Sequence, residues 1–230
     1  HSVWQWQARY FAHHGFSVLA VDLPGHGRSP GAIRPTIEAL ADWVAALIEA
    51  SCEERAHVVG HSMGSLVALD TAIRHPRRVD RLALLGAAVP MAVGEAFLAA
   101  AKDDSAAAFD MQSVWGHARH VMLGASAVPG TTLYGASRHL VARARPGVQY
   151  ADLAACNAYA PTPEALRGLK AATLVVAGRR DAMTPWKAGQ ALAREIPEAT
   201  FTLLDAGHAM TAESPREVLQ ALRAHLPAGA

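Results

Sequence analysis

The chain has 230 residues, 51% of them hydrophobic and 18% charged, with a formal net charge of +1. This composition supplies a core and excludes a disordered or polyionic chain, and the length suits one large domain or a domain carrying an insertion. The 18 Arg and 3 Lys are scattered along the chain, so no nucleic-acid partner is implied.

Cys52 and Cys156 have no C-x-x-C spacing, so they read as small core residues, neither a disulfide framework nor a thiolate metal site. The most apolar stretch, residues 82–101, is interrupted by Gly86, Pro90, Gly94 and Glu95 and makes a poor membrane span. The chain opens on His1 with no initiator Met, which leaves targeting unobservable. Reduced cysteines with abundant Arg and Ala suit a cytoplasmic protein, and oligomeric state leaves no trace in the pattern.

In chain order, Ser2 is placed to cap a first helix whose apolar residues Val3, Trp6, Tyr10 and Phe11 share a face, with Gly15 ending it. A buried strand is predicted over 16–23, followed by the loop Pro24-Gly25-His26-Gly27-Arg28-Ser29-Pro30. The next helix begins near Thr36 and sets Ile37, Leu40, Val44, Leu47 and Ile48 on one side. A strand over 56–60, a sharp turn, a helix from about Ser65 to His75 and a strand over 81–86 complete residues 1–86.

Residues 87–169 contain no strand pattern but several short helical ones divided by Gly and Pro, and read as a helical insertion. The alternation resumes over 170–230: strand 172–177, helix 186–196, strand 200–204 and a last helix. Ser214-Pro215-Arg216-Glu217 has the form of a capping box with proline in the first turn. Short apolar strands alternating with amphipathic helices require an α/β fold, a mostly parallel sheet with helices on both faces. Sites on such sheets lie at the carboxyl ends of the strands.

The segment Gly60-His61-Ser62-Met63-Gly64 joins a strand to a helix as G-x-S-x-G, a turn that lifts the serine above the sheet. A serine hydroxyl needs a base to take its proton and an acid to orient that base. Two later strand ends carry them: Gly178-Arg179-Arg180-Asp181 and Asp205-Ala206-Gly207-His208. Asp205 is an alternative acid, though it reads better as a strand-end residue.

Other histidines and loops carry weaker signals. His57 and His61 are four apart on a strand and turn, which does not build a metal face, and His117 with His120 lacks a nearby carboxylate. The Gly25-His26-Gly27 loop lacks the third glycine of a dinucleotide fingerprint and reads as structural. No metal or cofactor is called for. Met111, Trp115, Met122 and Leu123 either line an apolar substrate pocket under the insertion or form the insertion's own core, the second being the simpler reading.

On Gly60 to Gly64, residues 22–29 (Asp-Leu-Pro-Gly-His-Gly-Arg-Ser), 178–185 and Ala206-Gly207-His208, the chain resembles the lidded, esterase-like members of the α/β-hydrolase superfamily. The likeness covers the chain apart from the insertion, which it makes a lid. It implies Ser62 as nucleophile, His208 as base then acid, Asp181 as the residue that orients the imidazole, and the Met63 amide as an oxyanion donor.

The activity it implies is hydrolysis of small carboxylic esters through an acyl-enzyme, without a cofactor. Lactone, thioester, carbon-carbon bond and perhydrolase chemistry use the same residues, and a ligand-binding protein that keeps the fold is a further class. Members of that family also have a strand ending in His-Gly between the strands over 16–23 and 56–60. Its absence here makes this chain read as part of a longer one and leaves a gap in the sheet.

Overall fold

The computed structural model describes residues 1–51, 53–124 and 132–227, so Cys52 lies outside the described residues. After a 3-10 turn at Ser2–Trp4, helix α1 (Gln5–His13) precedes a long extended stretch. Helix α2 (Ile37–Ala50) starts where Thr36 accepts a hydrogen bond from the Ala39 amide at 3.1 Å. Strand β1 (Ala56–His61), helix α3 (Met63–Arg74) and strand β2 (Val79–Leu85) follow.

The insertion between β2 and β3 (Ala172–Gly178) is helical in its described residues: α4 (Glu95–Lys102), α5 (Ala106–Trp115), α6 (Arg119–Met122), α7 (Leu133–Ala142), α8 (Val148–Ala158) and α9 (Pro163–Arg167). Helix α10 (Trp186–Glu195), strand β4 (Thr200–Leu204), the single turn α11 (Met210–Glu213) and α12 (Pro215–His225) end the chain.

The four strands among the described residues lie in chain order, β1-β2-β3-β4, and every neighbouring pair is parallel. Alternation along each central strand divides the core into two layers. Leu82 and Leu84 of β2 and Val175 of β3 face α2, α3 and α10, packing with Leu40, Leu66 and Leu192. Ala83 and Leu85, with Leu174 and Val176, face α1 and α12, meeting Phe11, Val218 and Leu222. The insertion has a small core of its own, Phe97, Ala101 and Ala108, against which Met111 packs. Among the described residues no helix is long and apolar enough to cross a membrane.

Four sequence expectations need correction, the first being Ser2, which caps no helix because it lies inside the 3-10 turn that precedes α1. Residues 16–23 are extended but form no strand, because nothing among the described residues pairs with them: a cavity of about 1240 Å³ lies between this stretch and the free edge of β1. Val18 and Leu19 line that cavity and stay exposed, at 37% and 60%. Helix α3 starts two residues before Ser65, at Met63, so the helix follows Ser62 directly. Pro215 does open α12, but Ser214 caps nothing with its side chain; it also ends α11, and that tight junction sets its backbone at φ −131° and ψ 58°.

Candidate active site

Strand β1 delivers Ser62 to the top of the sheet, where its own amide continues the ladder by donating to the Leu85 carbonyl at 2.9 Å. The turn is sharp enough that Ser62 takes φ 55° and ψ −125°, a region that side-chain-bearing residues seldom occupy. Of the two flanking glycines only Gly60 is sterically compelled, since a Cβ there would fall on the Gly64 carbonyl; one on Gly64 would meet nothing.

The other two strand ends come to the same place. Ser62 Oγ donates to His208 Nε2 at 2.8 Å, and His208 Nδ1 donates to Asp181 Oδ2 at 2.7 Å. Asp181 and His208 are both buried, so this relay runs in a low-dielectric setting. Asp181 Oδ1 accepts from the Met183 and Thr184 amides, each at 2.8 Å, and Oδ2 accepts from Thr184 Oγ1 at 2.7 Å. Burial raises the affinity of this carboxyl for a proton, but the bonds from His208 and Thr184 and the attraction to the imidazole outweigh it. The net effect holds Asp181 below the ordinary aspartate range. Asp205, the alternative acid, points elsewhere and forms an exposed two-bond pair with Arg180 at 2.7 and 3.0 Å.

His61 takes part in a way its position did not advertise. Its Nε2 donates to the backbone carbonyl of His208 at 2.7 Å, with the two rings 4.9 Å apart. Burial, then the neighbouring His208, lower its pKa to about 4, so it is a neutral donor at ordinary pH. His57 turns instead to Asp80 at 3.1 Å, so the pair is divided. His26 bonds Asp152 of α8 at 2.8 Å and the Pro24 carbonyl at 3.1 Å, which ties the glycine loop to the insertion. His117 is buried on the Ser113 carbonyl, whereas His120 is exposed. No group of three or more His, Cys, Asp and Glu is placed to hold a metal among the described residues.

The cavity reaches Ser62 and His208, and Met91, Phe97, Trp115, Leu153, Cys156 and Met183 are among the residues that line it. Of the four pocket residues weighed from sequence, only Trp115 lines it, held edge-on against Phe97 at 5.5 Å. Met111 turns into the insertion's own core, and Met122 and Leu123 sit on a short outer turn where Leu123 is 80% exposed. Cys156 is a buried core residue as expected, its thiol pushed up to about 12 by burial. Sequence reasoning passed over Thr184 and Glu213. The first had a legible signal, since Asp followed three residues later by Thr is a local turn that feeds amides back to the carboxylate. The second had none.

Comparison with known proteins agrees with this architecture. The α/β hydrolase fold family matches residues 1–215. A pimeloyl-[acyl-carrier protein] methyl ester esterase of Chromobacterium violaceum is 33% identical over 222 residues, covering 92% of this chain and 84% of the relative. A putative carbamate hydrolase of Variovorax paradoxus is 30% identical over 221 residues, covering 90% and 79%. Among solved structures, an enol-lactonase from Burkholderia xenovorans superposes with a TM-score of 0.84 at 25% identity, over 96% of this chain and 84% of that one. By the extent of that family match and of the likeness to the esterase, the chain belongs to the α/β-hydrolase fold family.

Proposed function

We propose that this chain is a serine hydrolase of small carboxylic esters. The observation that carries the reading is the continuous relay Ser62 Oγ, His208 Nε2, His208 Nδ1, Asp181 Oδ2, with links of 2.8 and 2.7 Å, built at the ends of three different strands. The similarity to an esterase over most of the chain's length supports the same bond type.

In this reading Ser62 Oγ attacks the ester carbonyl while His208 Nε2 takes its proton. The tetrahedral oxyanion is received by the Met63 amide at the start of α3, where first-turn amides lack intrahelical acceptors and the helix favours negative charge. His208 then protonates the departing alcohol, and the acyl group stays on Ser62. Water loses a proton to His208, attacks the acyl carbon, and the carboxylic acid leaves as Ser62 regains its hydrogen. Asp181 keeps the Nδ1–H tautomer and stabilises the imidazolium in both halves. Each proton and electron pair moves between substrate, water and these side chains.

Residues 87–169 act as the lid, and the apolar wall of Phe97, Trp115, Leu153 and Met183 receives the acyl or alcohol group. The test is labelling with a fluorophosphonate followed by peptide mapping, alongside turnover of a panel of 4-nitrophenyl esters. Modification confined to Ser62, lost in His208→Ala, is the expected result. A folded protein that is neither labelled nor active on the panel would turn the reading to a ligand-binding member of the fold.

A further inference from the structure

The loop that carries His208, between β4 and α11, is fastened at three consecutive residues. The Gly207 amide donates to Glu213 Oε2 at 2.7 Å, the His208 carbonyl accepts from His61 at 2.7 Å, and the Ala209 amide donates to the Gly116 carbonyl at 2.7 Å. Two of these three bonds lead to one turn of the insertion. Gly116 belongs to the turn between α5 and α6 of the insertion, and the same turn is reached a second time through Glu213. Glu213 Oε1 accepts from the Ala118 amide at 3.1 Å while Oε2 holds Gly207.

Glu213 is only 9% exposed, and among the described residues no Lys, Arg or His forms an ion pair with it. A buried carboxylate that is satisfied by two backbone amides from two separate segments is a bridge between them. The packing is as close as the bonding. A Cβ on Gly207 would lie 2.5 Å from the Ala118 nitrogen and 2.7 Å from Glu213 Oε1. The residue preceding this turn is Trp115, which lines the cavity in front of Ser62.

We propose that Glu213 is a positioning residue that couples the seating of the helical insertion to the alignment of His208. Through its carboxylate the α5–α6 turn and the His208 loop move as one body. His208 therefore stands between Asp181 and Ser62 when Trp115 is in place at the cavity wall, and swings out of line when that turn lifts. This inference rests on the serine-hydrolase reading, because it concerns the same imidazole, and it adds a residue and a role which that reading does not require.

Glu213→Gln is the informative variant: nearly the same shape, but its Nε2 must face one of the two amides, donor against donor. With 4-nitrophenyl acetate as substrate, kcat should fall between about 10-fold and 100-fold, the usual consequence of displacing a reacting group by about 1 Å, with KM little changed. The rate of fluorophosphonate labelling at Ser62 should fall in parallel, since it needs the same base. Glu213→Asp, able to reach one amide but not both, should lose less and serves if the first variant folds poorly. Wild-type kcat and labelling rate in the folded variants, with only a lowered Tm, would make Glu213 a purely structural residue and overturn the proposal. A rise in KM alone would overturn it too, by assigning the bridge to substrate binding. A wild type that is unlabelled at Ser62 would remove the serine-hydrolase reading first, and this inference with it.

Discussion

The sheet is finished differently on its two sides. Toward β4, strand ends and loops interlock: a Cβ on Gly178 would sit 2.5 Å from the Ala206 and Gly207 carbonyls, and the Arg179 and Arg180 amides bond the β4 side at 2.8 and 2.9 Å. Toward residues 16–23, β1 presents a free edge to a cavity, and the amides of residues 17–22 donate to no protein group among the described residues. The difference runs through the Ser62, His208 and Asp181 relay itself. Chemistry needs atoms fixed to a few tenths of an ångström, and Asp181 and His208 stand on the interlocked side. Ser62 alone comes from the open-edged strand, and its amide is anchored to Leu85 across the neighbouring one.

Amide exchange gives the widest test of that contrast. Amides of β3, paired on both sides and buried, should open only with global unfolding, at a cost of about 5 to 15 kcal/mol. Those of residues 17–22 should exchange at near-peptide rates, a cost near zero. Equal protection in the two segments would show that the cavity closes in solution and that the contrast is false.

Next in size is the interlocked side's own chemistry. Asp181→Asn keeps the size of the side chain but presents an amide to His208 Nδ1, which removes the acceptor that fixes the tautomer. Ester turnover should fall about 10⁴-fold, or roughly 5.5 kcal/mol of transition-state stabilisation, measured as kcat on 4-nitrophenyl acetate. A tenfold loss or less would mean that Thr184, 3.1 Å from the same nitrogen, orients the ring well enough alone.

How much of this was legible depended on whether the cause was local. Strand and helix positions followed from apolar spacing, and β4 falls on 200–204 as the pattern required. Ser62, Asp181 and His208 could be read because each follows a strand and the fold gathers strand ends. The failures are non-local. Residues 16–23 have the composition of a strand, but a strand exists only by pairing, and the sequence of the segment does not state whether a partner stands beside it. Glu213 looks like any acid near a helix end; its meaning arises from Ala118, 95 residues away. Met111, Met122 and Leu123 have the chemistry of a pocket wall, yet which face of a short helix meets the cavity is set by how the insertion packs, and Met111 joins the insertion's own core, the simpler of its two readings.

Two histidines carry the comparison into pH, with opposite signs. His61, the last residue of β1 but bonded to the His208 carbonyl of the interlocked side, has a folded pKa of about 4 against an ordinary value of 6.5. Between those values the unfolded chain takes up a proton that the folded chain refuses, so stability falls as the solution is acidified through that window. About 2 kcal/mol should be lost from pH 7 to pH 5. Asp181 does not confuse the measurement, because its depressed pKa moves its own loss of stability below the ordinary aspartate range. Urea melts of wild type and His61→Gln at the two pH values should show that the variant lacks this drop. An equal drop in both would assign acid sensitivity to other groups.

His26, beside the open side, shows the reverse and the smallest effect. Burial lowers its proton affinity, but the bond and charge of Asp152, helped by the Pro24 and Leu23 carbonyls, more than compensate, and its folded pKa is raised. The stabilisation is then fully present below about 6.5 and disappears as pH rises through the folded value. Asp22 on the adjoining stretch is the other acid that feels this charge. Both side chains are about one-fifth exposed, at 21% and 22%, so solvent screens the pair and its worth is about 1 kcal/mol or less. Asp152→Asn should cost that amount at pH 6 and less once pH has risen through the folded pKa of His26, and proton NMR of the ring should show that pKa returning toward its ordinary value. Because this pair joins the glycine loop to α8, its loss loosens the insertion at a contact that does not involve Glu213. Ester kcat should therefore hold in Asp152→Asn while falling in Glu213→Gln. Equal losses in the two variants would mean that the insertion steers His208 as a single rigid piece, whichever side holds it.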